Sequence, residues 1–171
     1  GAGCSSLRRV ADHLPQRVQL LAIDTGSAAH RSSGISNTLS IGSGFGSGGD
    51  PEVAATQFVE GQAKVSNFVD GADVVIVLVG LGRGTGSGIS PLVCDLARNS
   101  GALTIAAVNM PFEFEGRFRT LAAGRAHAEL TAAADAVITL NNDDLMALAG
   151  TGGTLNTAFE KADGYIAKSV Q

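Results

Sequence analysis

Tryptophan is absent from this chain, tyrosine occurs once and proline four times, against 23 glycines. Seven phenylalanines bring the aromatic share to only 5%, so an apolar fraction of 44% must build its core mainly from Val, Leu, Ile and Ala. That composition is common in parallel α/β sheets covered on both faces. Cysteine is equally scarce. Cys4 and Cys94 are too few for a disulfide scaffold, and neither sits in a Cys-x-x-Cys or His/Cys cluster, so no metal site is expected. No apolar run approaches the roughly 20 residues that span a bilayer, and the N-terminus has no signal-peptide layout. The expectation is a cytoplasmic protein in a reducing compartment, without direct membrane insertion. Charge of one sign is not concentrated either. A formal net charge of −4 with no run of like charges gives no footprint for nucleic acid. The 171 residues suffice for one domain with a core of its own.

What the chain does have is alternation. Val18 to Ile23, Val74 to Val79, Leu103 to Val108 and Ala136 to Leu140 read as strands. Pro51 to Val69, Ser90 to Asn99, Arg117 to Leu130 and Thr154 to Val170 read as helices, the last with Leu155, Ala158, Phe159, Ala162, Tyr165, Ile166 and Val170 at helical spacing. Alternating strands and helices imply an α/β fold: three layers around a doubly wound, mostly parallel, Rossmann-like sheet, with ligands at the carboxyl ends of its strands. Gly1 to Ser6 reads as a phosphate turn opening a short helix, Leu7 to Leu14. Such a turn normally follows a strand, so the first, central strand is expected to be missing from this sequence or supplied by another segment.

Gly80 to Gly88 reads G-L-G-R-G-T-G-S-G directly after the apolar run Asp73 to Val79. Glycine at every second position lets backbone approach a ligand closely. A helix beginning at Ile89 or Ser90-Pro91 adds unpaired N–H groups and the positive end of a dipole. Phosphate suits that geometry, with the hydroxyls of Thr85 and Ser87 as further donors. No Gly-Lys-Ser/Thr follows, so this is not a Walker loop. The cluster Gly42 to Gly49 taken alone is a flexible linker or a loop, and Asp50-Pro51-Glu52 starts a helix immediately after it.

Gly82 to Gly88 resembles the signature G-G-G-T-G-[ST]-G of the FtsZ and tubulin superfamily of GTP-binding cytoskeletal proteins. Further motifs follow the family in order over nearly the whole chain. Gly1 to Ser6, with Gly3 and Cys4, stands at the first glycine-rich loop, and Ile23-Asp24-Thr25 at the strand end on the ribose side. Phe45 to Glu52, with Ser47 and Gly48, is similar to L-G-A-G-x-N-P-E, whose backbone touches the γ-phosphate in that family. Pro111 to Arg119 matches the FtsZ pattern P-F-x-F-E-G-x-x-R, Asn142 to Leu145 resembles N-D-x-L, and Ala158 to Asp163 resembles A-F-x-x-A-D on the long central helix. FtsZ is the closer branch.

The resemblance implies a GTP/GDP-binding domain over residues 1–171, ending in that central helix and without the family's second domain. It implies phosphate contacts from Gly3, Cys4, Ser47, Gly48, Gly82, Gly84, Thr85 and Gly86, and sugar contacts near Asp24, Glu115 and Arg119. Asn142 and Asp163 would read the guanine edge and Phe159 would stack on the base. Mg²⁺ is expected only through the phosphates. Phe112 and Phe114 read first as packing residues, Cys94 as a small buried hydrophobe, and Glu115, Arg117 and Arg119 alternatively as a solvated helix start.

Departures qualify this. Cys4-Ser5-Ser6 replaces part of the first glycine run, and Leu7 or Arg8 stands where an Asn is expected. Arg83 replaces a glycine inside the signature loop, where it either points to solvent or reaches over the phosphates. In the family the central helix leads to an acidic loop that positions water on a neighbouring subunit's nucleotide, and Gln171 falls inside that helix. The catalytic residues are therefore unknown, and the expectation is tight nucleotide binding with negligible turnover unless another subunit or segment supplies the acid. Partners would be a second copy, a filament or a longer FtsZ-like homologue. Two other functions stand beside this one. One is a non-hydrolysing, nucleotide-dependent scaffold. The other is a Rossmann NAD-binding protein, since Gly1-x-Gly3 with Asp24 imitates a dinucleotide fingerprint.

Overall fold

The apolar runs at 74–79, 103–108 and 136–140 become the backbone of the molecule. In a computed structural model, which describes residues 2–11, 14, 15, 17–27, 34–149, 154 and 157, they are β3 (Val74–Gly80), β4 (Leu103–Met110) and β5 (Ala136–Asn141). They pair in parallel in the order β3-β4-β5, with Val74 opposite Leu103 and Ile105 opposite Ala136. The return helices are α4 (Gly84–Asn99), between β3 and β4, and α5 (Arg117–Ala133), between β4 and β5. Before them in the chain come α1 (Ala2–Ala11), β1 (Ala22–Asp24), β2 (Thr38–Ser40), α2 (Pro51–Phe58) and α3 (Gln62–Val69); α6 (Asn142–Ala149) follows β5.

The period of two in these strands sorts residues onto two faces. Val77, Val79, Ala106, Val108 and Val137 pack with Cys94 of α4 and with Ala123, Ala126 and Leu130 of α5. Their neighbours Leu78, Ala107 and Leu140 point the other way, onto Leu7 and Val10 of α1. Helices thus cover both faces, as the three-layer expectation required. A second cluster joins Leu39 and Ile41 to Phe58, Val65 and Val69 of α2 and α3 and to Ile89, Val93 and Ala97 of α4.

β1 and β2 form a separate parallel pair, Ala22 opposite Thr38. Among the described residues no strand joins this pair to β3.

Several boundaries differ from the sequence reading. No turn precedes the first helix over residues 2–6: α1 starts at Ala2, not Leu7, and Gly3 lies so close to the Leu78 carbonyl that a Cβ would overlap it. The strand read at Val18–Ile23 is confined to Ala22–Asp24. The helix read over Pro51–Val69 is broken between Phe58 and Gln62, where Gly61 packs against Ile41, a Cβ there falling 3.1 Å from its side chain. β2 was not anticipated. The 42–49 segment is neither strand nor helix, but it is held: Gly46 N–H donates to the Thr25 carbonyl at 2.9 Å and Ser27 N–H to the Gly44 carbonyl at 3.0 Å. The helix read over Thr154–Val170, with Phe159 and Asp163, lies outside the described residues apart from Thr154 and Thr157.

Candidate functional site

The largest misreading concerns α4. Its helix starts at Gly84, five residues before Ile89, so the signature loop is mostly the helix's own first turn. The glycines make that possible by close approach. A Cβ on Gly86 would overlap the Gly80 carbonyl ending β3, one on Gly84 would overlap Ser47 Oγ, and one on Gly88 would overlap the Pro51 carbonyl starting α2. The first turn of α4 is thereby wedged between the end of β3 and the 47–51 segment. Gly82 has a φ of +93° and is packed between Pro111 and the Arg119 carbonyl.

That wedge borders a cavity of about 660 Å³ between the two sheets. Ile23 to Gly26 line one side and Ile76 to Leu81 the other; the starts of α1 and α4 open into it. Neither helix has an acidic residue in its first turn, and Arg83, the N-cap of α4, makes no side-chain cap. By contrast α2 is closed by Asp50, which accepts from the N–H groups of Glu52 at 2.8 Å and Val53 at 3.4 Å. Two helix N-termini with no acidic residue in their own first turns thus open into one space, a setting that favours anions.

The polar groups around this space are mostly committed to one another. Thr25 and Thr85 share a hydroxyl–hydroxyl bond of 2.6 Å, and Asp24 Oδ1 accepts from Gly26 N–H at 2.9 Å and from the Thr85 hydroxyl at 3.5 Å. These bonds tie the end of β1 to the first turn of α4. Glu115 accepts from Phe112 N–H at 3.1 Å and pairs with Arg119. Burial pushes the Cys4 thiol above its ordinary range, so it faces the cavity as a neutral group.

Two buried groups are left over. The Oδ1 atoms of Asn109 and Asn142 have no hydrogen-bond partner, although their residues are only 5% and 6% exposed. Asn109, next to last in β4, lies opposite Gly80, and Asn142 follows β5 directly, so both sit at the carboxyl edge of the sheet and line the cavity. An unpaired buried acceptor costs about 1–3 kcal/mol, which a ligand bearing N–H or O–H donors would relieve.

Measured against the sequence reading, the structure brings Gly3, Cys4, Asp24, Ser47 and Gly48 to the cavity wall, together with Arg83, Gly84, Thr85, Gly86, Glu115 and Asn142. Gly82 and Arg119 are not on the wall. Gly82 supports the turn from behind, and Arg119 reaches the site only through Glu115. Ser87, read as a further hydroxyl donor, is not on the wall: it is buried, and its hydroxyl accepts from Gly82 N–H at 2.9 Å. Phe112 is buried as expected, but Phe114 is 73% exposed and stacks on it from outside at 4.9 Å. Phe159 and Asp163 lie outside the described residues. Asn109 was missed; the one signal for it was a polar residue interrupting the apolar run just before Pro111.

The sequence matches the model of a known family, the Tubulin/FtsZ family, GTPase domain, over residues 2–150. The chain belongs to the tubulin/FtsZ family. Among curated proteins it is 33% identical to the cell division protein FtsZ of Buchnera aphidicola and 34% identical to that of Wigglesworthia glossinidia brevipalpis, each over 175 aligned residues covering 100% of this chain and 46% of the relative. Among solved structures it is similar to an empty FtsZ dimer from M. jannaschii, with a TM-score of 0.89, 28% identity and coverage of 99% of this chain and 50% of that one. It is also similar to CetZ2 from Haloferax volcanii, a GTPγS-bound protofilament, with a TM-score of 0.85, 27% identity and coverage of 99% and 54%. The chain therefore spans about half the length of the FtsZ relatives that it matches. No described helix is long and apolar enough to cross a membrane.

Proposed function

We propose that this chain is the nucleotide-binding part of an FtsZ-type protein and takes GTP or GDP into the cavity between its sheets. The observation that carries this is the pairing of two opposed demands in one space: helix starts α1 and α4 that favour an anion, and the orphaned acceptors of Asn109 and Asn142 that need donors. A guanine nucleotide supplies both, phosphates at one end and sugar hydroxyls with base N–H groups at the other.

In this reading the backbone N–H groups of Gly84, Thr85 and Gly86, with those near Gly3, Cys4, Ser47 and Gly48, hold the phosphates. Glu115 accepts from the ribose, with Arg119 keeping its carboxylate in place. Asn142, and Phe159 and Asp163 of the family's central-helix motif, take the base. Any Mg²⁺ would be held through the phosphates of the nucleotide rather than by side chains of the described wall. Hydrolysis is electrostatic stabilisation plus a positioned water. The two carboxylates on the cavity wall, Asp24 and Glu115, are already hydrogen-bonded within the protein. In this reading the acid that orients water comes from another subunit or segment, and this chain alone binds without appreciable turnover. Assembly with a second copy or a longer homologue, in the cytoplasm, follows from the same reading.

Thermal unfolding with GTP, GDP and NAD⁺ tests the proposal. Ligand at 100 times its Kd adds about 2.7 kcal/mol, a Tm rise of about 5–10 °C for a domain of this size. GTP and GDP should give it and NAD⁺ should not. A rise with NAD⁺ alone would restore the dinucleotide reading.

A further inference from the structure

Arg83 is unusual in its surroundings. The family motif has glycine there, and nothing about packing demands a side chain, because the residue is exposed at the lip of the cavity. Its backbone is nevertheless closely fixed. Gly82 before it is locked between Pro111 and Arg119, and Gly84 after it is pressed onto Ser47 and Asp50. The side chain therefore leaves from a defined point, the N-cap of α4, above the first-turn amides. It makes no hydrogen bond or ion pair with any described residue.

Charge makes the position informative. Among the described residues the charged side chains on the cavity wall are Asp24, Glu115 and Arg83. The two carboxylates would repel a polyphosphate, and Arg83 is the one cation on the described wall that can offset them. Arg119, the nearby alternative, is already paired with Glu115. The buried, unpartnered carboxamides of Asn109 and Asn142 independently mark the same cavity as a ligand site.

Resting on the nucleotide reading above, we propose that Arg83 makes this site count phosphates. Its guanidinium folds over the distal end of the tail and grips two oxygens in the fork geometry suited to phosphate. The contact is absent for a monophosphate, so Arg83 sets the preference for triphosphate while leaving recognition of the base untouched. Being exposed, it is also the salt-sensitive part of binding.

The test is calorimetric titration of GTP, GDP and GMP into the wild type, Arg83→Ala, Arg83→Gln and Arg83→Lys, at constant Mg²⁺ and at two salt concentrations. In Ala and Gln variants GTP affinity should fall about ten-fold, the scale of a charged hydrogen-bond pair. GMP affinity should stay unchanged, the salt dependence of GTP binding should flatten, and Lys should restore only part of the loss. Equal losses for all three ligands, or no loss for any, would overturn the role of Arg83 while leaving the nucleotide site standing. A wild type that binds none of the three would overturn the site itself and Arg83's role with it.

Discussion

Asn109 shows what a single residue reveals here. A buried carboxamide oxygen without a donor lowers stability unless something outside the chain completes it. Replacing it should then move stability and binding in opposite directions. Asn109→Leu is expected to raise the stability of the ligand-free protein by about 1 kcal/mol and to weaken GTP binding about ten-fold. Urea unfolding together with nucleotide titration checks both signs; a variant that is less stable yet binds normally would assign Asn109 a purely architectural role. The sequence does not display this residue because its meaning depends on isolation. Only the paired register of Gly80 with Asn109 and Met110 with Asn141 places it beside Asn142 at one edge. Asp24, Glu115 and Asn142, which the structure places on the cavity wall, were singled out because each lies in a stretch that resembles a family motif.

Among the elements, α4 holds the lesson. Its glycines read as a loop because glycine is a poor helix former. Their function in the fold is close approach to Gly80 at the end of β3 and to Ser47 and Pro51, which lie far upstream in the sequence. Propensity lost to tertiary packing. Gly86→Ala should therefore destabilise by about 1–3 kcal/mol through overpacking. Gly124→Ala, on open α5 surface with nothing within 4 Å, should stabilise by about 0.5–1 kcal/mol. Chemical denaturation of the two variants gives opposite signs if the wedge is real. The same helix buries Cys94, whose thiol is pushed up to about 12 by desolvation and by Asp95. The unfolded thiol ionises near its ordinary value of 9.0. Above that pH the unfolded state holds fewer protons than the folded one, so stability present at neutral pH is lost as pH rises. Relative to Cys94→Ala, the wild type should lose up to about 1.4 kcal/mol more per pH unit between pH 9 and 12. Parallel curves for the two proteins would contradict that burial.

At the scale of the whole molecule, the alternation of apolar runs and helical patterns sufficed for the parallel β3-β4-β5 core and its crossovers, since buried parallel strands leave long unbroken signals. β2 left none: three residues, Thr38 to Ser40, bury only Leu39. What the assembly adds is convergence. The starts of α1 and α4 and the turn at Gly46 to Gly49 come from three separate stretches and meet on one cavity. Hydrogen–deuterium exchange with and without saturating GTP tests that convergence directly. The account predicts slowed exchange together in peptides covering residues 2–6, 45–50 and 83–88, with α3 unchanged. Protection confined to one of the three, or absent from all while GTP still binds, would contradict it.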